Sequence, residues 1–143
     1  MTDWPQEIRK PHVYCNFRPS KKERSKKRER AADRRPGMSS KHLVLIRQMP
    51  CCVSLVMPAG DPHHLKQGPA KDERGMGQKA TDRWTVPLTR IEHDALERIG
   101  SRHEHAWFRE RGIADPYELA NALWHATGDL SRMIAILMAH RGK

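Results

Sequence analysis

The sequence predicts an α+β fold, with a small strand-containing unit in the middle, helices behind it and a basic arm in front. Three observations carry this. Short apolar runs, "HLVLIRQMP", "CCVSLVM" and "DRWTVPL", fall between His42 and Leu88, at lengths that suit strands or brief buried turns. From Thr89 onward the pattern is helical and punctuated by capping residues. Residues 1–47 hold 14 Lys/Arg against 5 Asp/Glu, and residues 48–143 hold 13 against 12. The net charge of +10 therefore belongs almost wholly to the front of the chain.

Taken in order, residues 1–40 form the arm. Its segment "PSKKERSKKRERAADRRPG" has nine basic and three acidic residues and no apolar stripe. It can bury no face, so it is expected to be largely disordered or transiently helical and suited to a polyanion. Lys21, Lys22, Arg24, Lys26, Lys27, Arg28 and Arg30 are its candidate nucleic-acid contacts. "HLVLIRQMP" reads as a strand or a buried helical turn, and "CCVSLVM" as a second strand. Pro58-Ala59-Gly60-Asp61 then turns the chain into the pair His63-His64. Residues 66–80, rich in Gly and charge, read as a surface loop, and Trp84, Val86 and Leu88 alternate along an extended run.

Four helices follow. Thr89 with Glu92 makes a capping box, and Gly100 supplies the stop. Ser101 with Glu104 repeats the device before "HAWFRERG", which Gly112 ends. Asp115, Pro116 and Glu118 open a third helix with Leu119, Leu123 and Trp124 on one face. Gly128-Asp129 separates it from a fourth, striped by Leu130, Met133, Ile134, Leu137 and Met138. The expected division is an arm over 1–40, a core over 41–112 and a helical hairpin extension over 113–143.

Composition excludes some classes. Two Phe and two Tyr are too few for a large all-β core. The longest uncharged stretch, Gln48 to Gly60, is broken by Pro50 and Pro58 and too short to span a bilayer. No apolar secretion signal opens the chain. Cys15, Cys51 and Cys52 make no disulfide framework, which points to a reduced, cytoplasmic setting. Cys51 and Cys52 are expected in the core.

The pair His63-His64 is the chemical signal. Adjacent side chains on a strand point to opposite faces, so the two imidazoles serve different tasks. His93 and Glu97 are spaced i, i+4 and project from one helix face, as two ligands of one metal do. Leu96 and Ile99 are left to pack inward. One histidine of the pair can join His93 and Glu97 around an ion, while the other is free to act on a water. His103 and His105 share no helix face and are expected at the surface, as are His125 and His140; Trp107-Phe108 is expected in the core.

The run "HLVLIRQMPCCVSLVMPAGDPHHLKQG", followed by "GMGQKATDRWTVPLTRIEHDALE", resembles phage and prophage nucleases of the HNH, or ββα-metal, superfamily, in particular the RecA-dependent recombination nuclease group. The resemblance spans about residues 40 to 112. It implies a ββα-metal core, with His63 as a metal ligand and His64 as general base. His93 falls on the helix histidine, and Glu97 takes the place of a further one. Asp82 falls near the polar residue that orients the base. Gly75, Gly77 and Lys79 correspond to a phosphate-facing loop. Thr89 stands where a cysteine is usual, so a four-thiolate zinc site is not expected.

The implied activity is metal-dependent DNA endonuclease chemistry, hydrolysing phosphodiesters to leave a 5′-phosphate. Mg²⁺ or Mn²⁺ suits the carboxylate, with Zn²⁺ an alternative from the imidazoles. The implied partner is DNA, with a recombinase as a further candidate and no membrane. Two rivals stand beside it. One is a non-catalytic DNA-binding recombination accessory protein with a degenerate HNH fold. The other is an interaction protein whose basic arm binds RNA or a protein partner.

Overall fold

The computed structural model describes residues 20–24, 26, 35–76 and 78–141. Ser20 and Glu23 cap each other across a helical turn at 21–24: the Ser20 amide donates to Glu23 Oε2 at 2.8 Å and the Glu23 amide to Ser20 Oγ at 3.2 Å. Lys21, Lys22, Arg24 and Lys26 are exposed there. Cys15, Lys27, Arg28 and Arg30 lie outside the described residues. The folded unit begins before residue 40. The Asp82 amide donates to the Gly37 carbonyl at 2.8 Å, and the Ser39 amide to Asp82 Oδ2 at 2.8 Å. Gly37 sits at φ 78, where a Cβ would meet Thr81 Cβ at 2.8 Å, so no larger residue fits this crossing.

The first apolar run is a helix, α1 (Ser40–Gln48), rather than a strand. Ser39 caps it by accepting from the His42 amide, and its buried residues His42 and Ile46 stand one turn apart. "CCVSLVM" is not a strand. The Cys51 amide donates to the Val56 carbonyl and the Leu55 amide to the Cys51 carbonyl, both at 2.9 Å, so the segment closes into a turn. Cys51 and Cys52 are nevertheless fully buried. Apolar composition here marks burial, not extension.

Strands β1 (Asp61–His64) and β2 (Thr85–Leu88) pair antiparallel, with His63 opposite Val86 and His64 opposite Thr85. Between them lie the short helix α2 (Pro69–Asp72) and a 3-10 turn, Asp82–Trp84. All four β2 residues are buried because α1 and two later helices pack against the strand, so the alternation of Trp84, Val86 and Leu88 does not sort core from solvent. Helix α3 (Arg90–Ile99) follows directly, with the Thr89 hydroxyl accepting from the Glu92 amide and Gly100 (φ 84) ending it. Leu96 is buried, but Ile99 is 43% exposed, since the chain turns away at Gly100.

A 3-10 turn, Ser101–His103, leads into α4 (Glu104–Glu110), whose buried face carries Glu104, Trp107 and Phe108. The Ser101–Glu104 capping box does not form. Ser101 Oγ accepts instead from Gln67, and Glu104 turns into the core. Helix α5 (Pro116–His125) is capped by Asp115, and α6 (Leu130–His140) by Asp129. Both contribute to the same core as Val86 and Leu88, through Leu119, Leu123, Met133 and Leu137. Met138, at the end of the expected stripe, is 48% exposed. His125, His103 and His105 are exposed, whereas His140 is half-buried and donates from Nδ1 to its own helix carbonyl at Ile136. The result is an α+β fold in which a two-stranded sheet is enclosed by helices.

His42 is fully buried between α1 and α5, edge-on to Trp124 at 5.0 Å. Its Nδ1 lies 2.7 Å from Thr127 Oγ1, whose hydroxyl donates to the Trp124 carbonyl, so His42 is the donor in this contact. Nε2 has no partner. Burial lowers the His42 pKa to about 4, against the opposing pull of Asp82. The unfolded ring takes up a proton near pH 6.5 and the folded ring does not. Stability is therefore complete above that pH and is lost as pH falls toward 4, by about 3 kcal/mol from this residue. Denaturant melts of the parent and His42→Gln between pH 7 and 4 check this. The variant should lose less stability across that window, and equal losses would mean that His42 does not fold as a neutral ring.

Candidate active site

The site is built on β1, where pleating sends consecutive side chains to opposite faces. His63 points inward and is 1% exposed. Its Nε2 lies 3.1 Å from Glu104 Oε1. A carboxylate can only accept, so Nε2 carries a proton and, in the neutral ring, Nδ1 keeps its lone pair. That nitrogen faces α3. The His63 and His93 rings stand 4.9 Å apart, nearly perpendicular at 73°, and His63 Nδ1 is 4.0 Å from Glu97 Oε1.

One donor atom from each of His63, His93 and Glu97 fits within a set whose members all lie within 4.8 Å of one another. Ligand bonds of about 2 Å each span at most about 4 Å between two donors, so the set lies within an ångström or so of a loaded centre. His63 Nδ1 and His93 Nδ1 are both buried without a hydrogen-bond partner. Two orphaned imidazole nitrogens beside a carboxylate are the donor chemistry of a divalent cation site. The Glu104–His63 bond is of the kind that holds a ligating imidazole in position.

Electrostatics favour a neutral His93 and charged carboxylates. Burial, with repulsion from His63, lowers the His93 pKa. The hydrogen bond from Lys66 holds Glu97 below the usual carboxylate range; Lys66 Nζ lies 2.5 and 2.7 Å from its two oxygens. Burial alone would raise Glu104, but bonds from His63 and from the Lys66 and Gln67 amides bring it below its ordinary value.

His64 points the other way. Its Nε2 lies 2.8 Å from Asp82 Oδ1, which makes Nε2 the donor and, in the neutral ring, Nδ1 the unprotonated nitrogen. Asp82 is buried, and its second oxygen accepts from the Ser39 amide. Unlike His63, His64 stays about a third exposed. Both histidines line one cavity of about 270 Å³, together with His93, Glu97, Lys66, Arg74 and Lys79.

The structure thus brings His63, His93 and Glu97 together, pairs His64 with Asp82, and sets Lys79 at the rim of the same hollow. Gly75 lies in the exposed loop beside it, while Gly77 is outside the described residues. Sequence reasoning missed Glu104 and Lys66. Glu104 precedes the buried pair Trp107-Phe108 by three and four residues, a spacing that places it on the buried helix face, although its distance from Ser101 reads as a cap. Lys66 carries no such signal, because a loop lysine has no periodicity to place it.

No curated protein and no solved structure matches the chain. A family model described as "Protein of unknown function (DUF968)" matches residues 23–114, a span that includes both strands, α3, Glu104 and every residue of the histidine cluster. The match covers 92 of 143 residues, counted from 23 through 114, and the chain belongs to the DUF968 family.

Proposed function

We propose that the protein is a metal-dependent DNA endonuclease of the HNH type, acting on cytoplasmic DNA in phage or prophage processing or recombination. The observation that carries this reading is the opposed pair on β1. His63 turns an unpartnered nitrogen toward His93 and Glu97, and His64 lines the same cavity with its Nε2 held by Asp82. His63, His93 and Glu97 would hold a divalent ion, Mg²⁺ or Mn²⁺ first and Zn²⁺ as an alternative. When bound, such an ion supplies Lewis-acid stabilisation of charge on phosphate and leaving oxygens.

The chain's own groups do the rest. His64 Nδ1 accepts a proton from a water in the cavity, and Asp82 holds the ring in the tautomer that makes this nitrogen basic. Glu104 does the same for His63, keeping its proton on Nε2 and away from the ion. Lys79 offers charge to the phosphate, and the arm's Lys21, Lys22, Arg24, Lys26, Lys27, Arg28 and Arg30 hold the duplex without reading its sequence. A recombinase is a further proposed partner. The second reading, DNA binding without turnover, draws on Lys66, whose ammonium already neutralises both oxygens of Glu97.

Supercoiled plasmid offered Mg²⁺, Mn²⁺ and Zn²⁺ in turn separates the two. Nicking or linearisation with at least one ion, abolished by EDTA, is expected; plasmid left intact with all three, despite tight binding, would favour the accessory reading. His64→Ala should lower cleavage by about 10²–10⁴-fold with DNA affinity and melting temperature nearly unchanged. Parental rates in that variant would remove His64 from the base position. Glu104→Gln should weaken metal affinity by about 10–100-fold, read by titration calorimetry on protein whose far-UV dichroism matches the parent; unchanged affinity would mean that Glu104 does not set the metal-facing tautomer of His63.

A further inference from the structure

Three hollows on one side of the molecule are joined by shared side chains. The histidine cavity is bordered by Arg74 and Lys79. The next hollow is lined by both of these together with Lys71. The third is lined by Lys79 again, by Glu73 and by Arg35, where the described residues resume after Lys26. Two of the acids nearby, Glu97 and Glu73, are already engaged, while Asp72 beside Lys71 is exposed. Glu97 is bonded by Lys66, and Glu73 accepts from Trp84 Nε1 at 2.6 Å and pairs with Arg83 at 3.6 Å. Among the described residues no acid pairs with Arg35, Lys71, Arg74 or Lys79. Uncommitted cations in succession along a concave path are the footprint of a phosphate backbone.

We propose that these hollows form the track of a polynucleotide backbone, running from the histidine cluster past Arg74 and Lys79 to Arg35. Arg74 borders the cluster and is the positioning residue for the phosphate nearest to it. Its guanidinium can hold two phosphate oxygens through parallel donors in one fixed plane, a geometry that a lysine's single nitrogen does not impose. The track extends the nuclease reading for its inner end, but its binding role stands without turnover.

The test uses the full chain and a fluorescein-labelled DNA duplex, with EDTA present so that nothing is cut. Affinity is measured across a salt series for the parent, Arg35→Ala, Arg74→Ala, Lys79→Ala and Arg109→Ala; Arg109 is exposed and borders a separate hollow on α4. Each of the three track variants should flatten the slope of log affinity against log salt by about 0.9 for every phosphate that the missing cation no longer neutralises, and Arg109→Ala should leave it as in the parent. Parental slopes in Arg35→Ala and Arg74→Ala, or an equal flattening in Arg109→Ala, would overturn the track. So would polyglutamate displacing the duplex as effectively as unlabelled DNA does, since the groove would then hold an acidic polypeptide. The same preparations, returned to metal, separate this proposal from the one it extends. Flattened slopes without cleavage sink the nuclease reading alone, and cleavage with parental slopes sinks the track alone. Where cleavage occurs, Arg74→Ala should lower kcat as well as raise KM, whereas Arg35→Ala should act on KM.

Discussion

The carboxylate of Glu104 holds the site together. It is 1% exposed and accepts from His63 Nε2, the Lys66 and Gln67 amides and the Tyr117 hydroxyl. These four donors come from the end of β1, the loop after it and α5, so one side chain on α4 ties three other parts of the chain. A buried carboxylate without partners would cost several kcal/mol; four donors make its burial tolerable and make the surrounding geometry interdependent. The same enclosure raises the Tyr117 pKa, since burial and the neighbouring charge both oppose a second anion.

Once His63 is fixed in this way, the strand dictates the rest. The pairing of His63 with Val86 and His64 with Thr85 places β2, and hence Thr89 and the start of α3, at a set distance from the histidine pair. His93 and Glu97 then come up beside His63 because they lie one turn apart on that helix. On the opposite face His64 meets Asp82, itself held by the Ser39 amide in front of α1. Two buried carboxylates thus orient two adjacent imidazoles in opposite senses. Both rings line one hollow, which is what the proposed division into ligand and base requires.

Much of this is legible in the chain because it rests on local rules. The i, i+4 spacing of His93 and Glu97, the caps at Thr89, Asp115 and Asp129, and strand alternation at His63-His64 are set by backbone geometry over a few residues. The features that the sequence hides depend on distant partners. "HLVLIRQ" and "CCVSLVM" are apolar because both are enclosed, and periodicity over so few residues does not separate a buried helix or turn from a strand. Glu104 resembles a capping residue, since Ser101 stands three positions before it; only the arrival of His63 and Tyr117 from elsewhere turns it inward. Arg35 to Ser39 look like the end of a charged arm, and their attachment to Asp82 spans more than forty positions in sequence.

The central claim is that His63, His93 and Glu97 form one cation site with His64 excluded from it. Crystals of the full chain grown with Mn²⁺ and measured at the manganese absorption edge test this most directly. The account predicts a single anomalous peak about 2 Å from nitrogen atoms of His63 and His93 and from an oxygen of Glu97, with His64 still bonded to Asp82. A peak on His64, or no peak at the cluster with Lys66 still seated on Glu97, would contradict it.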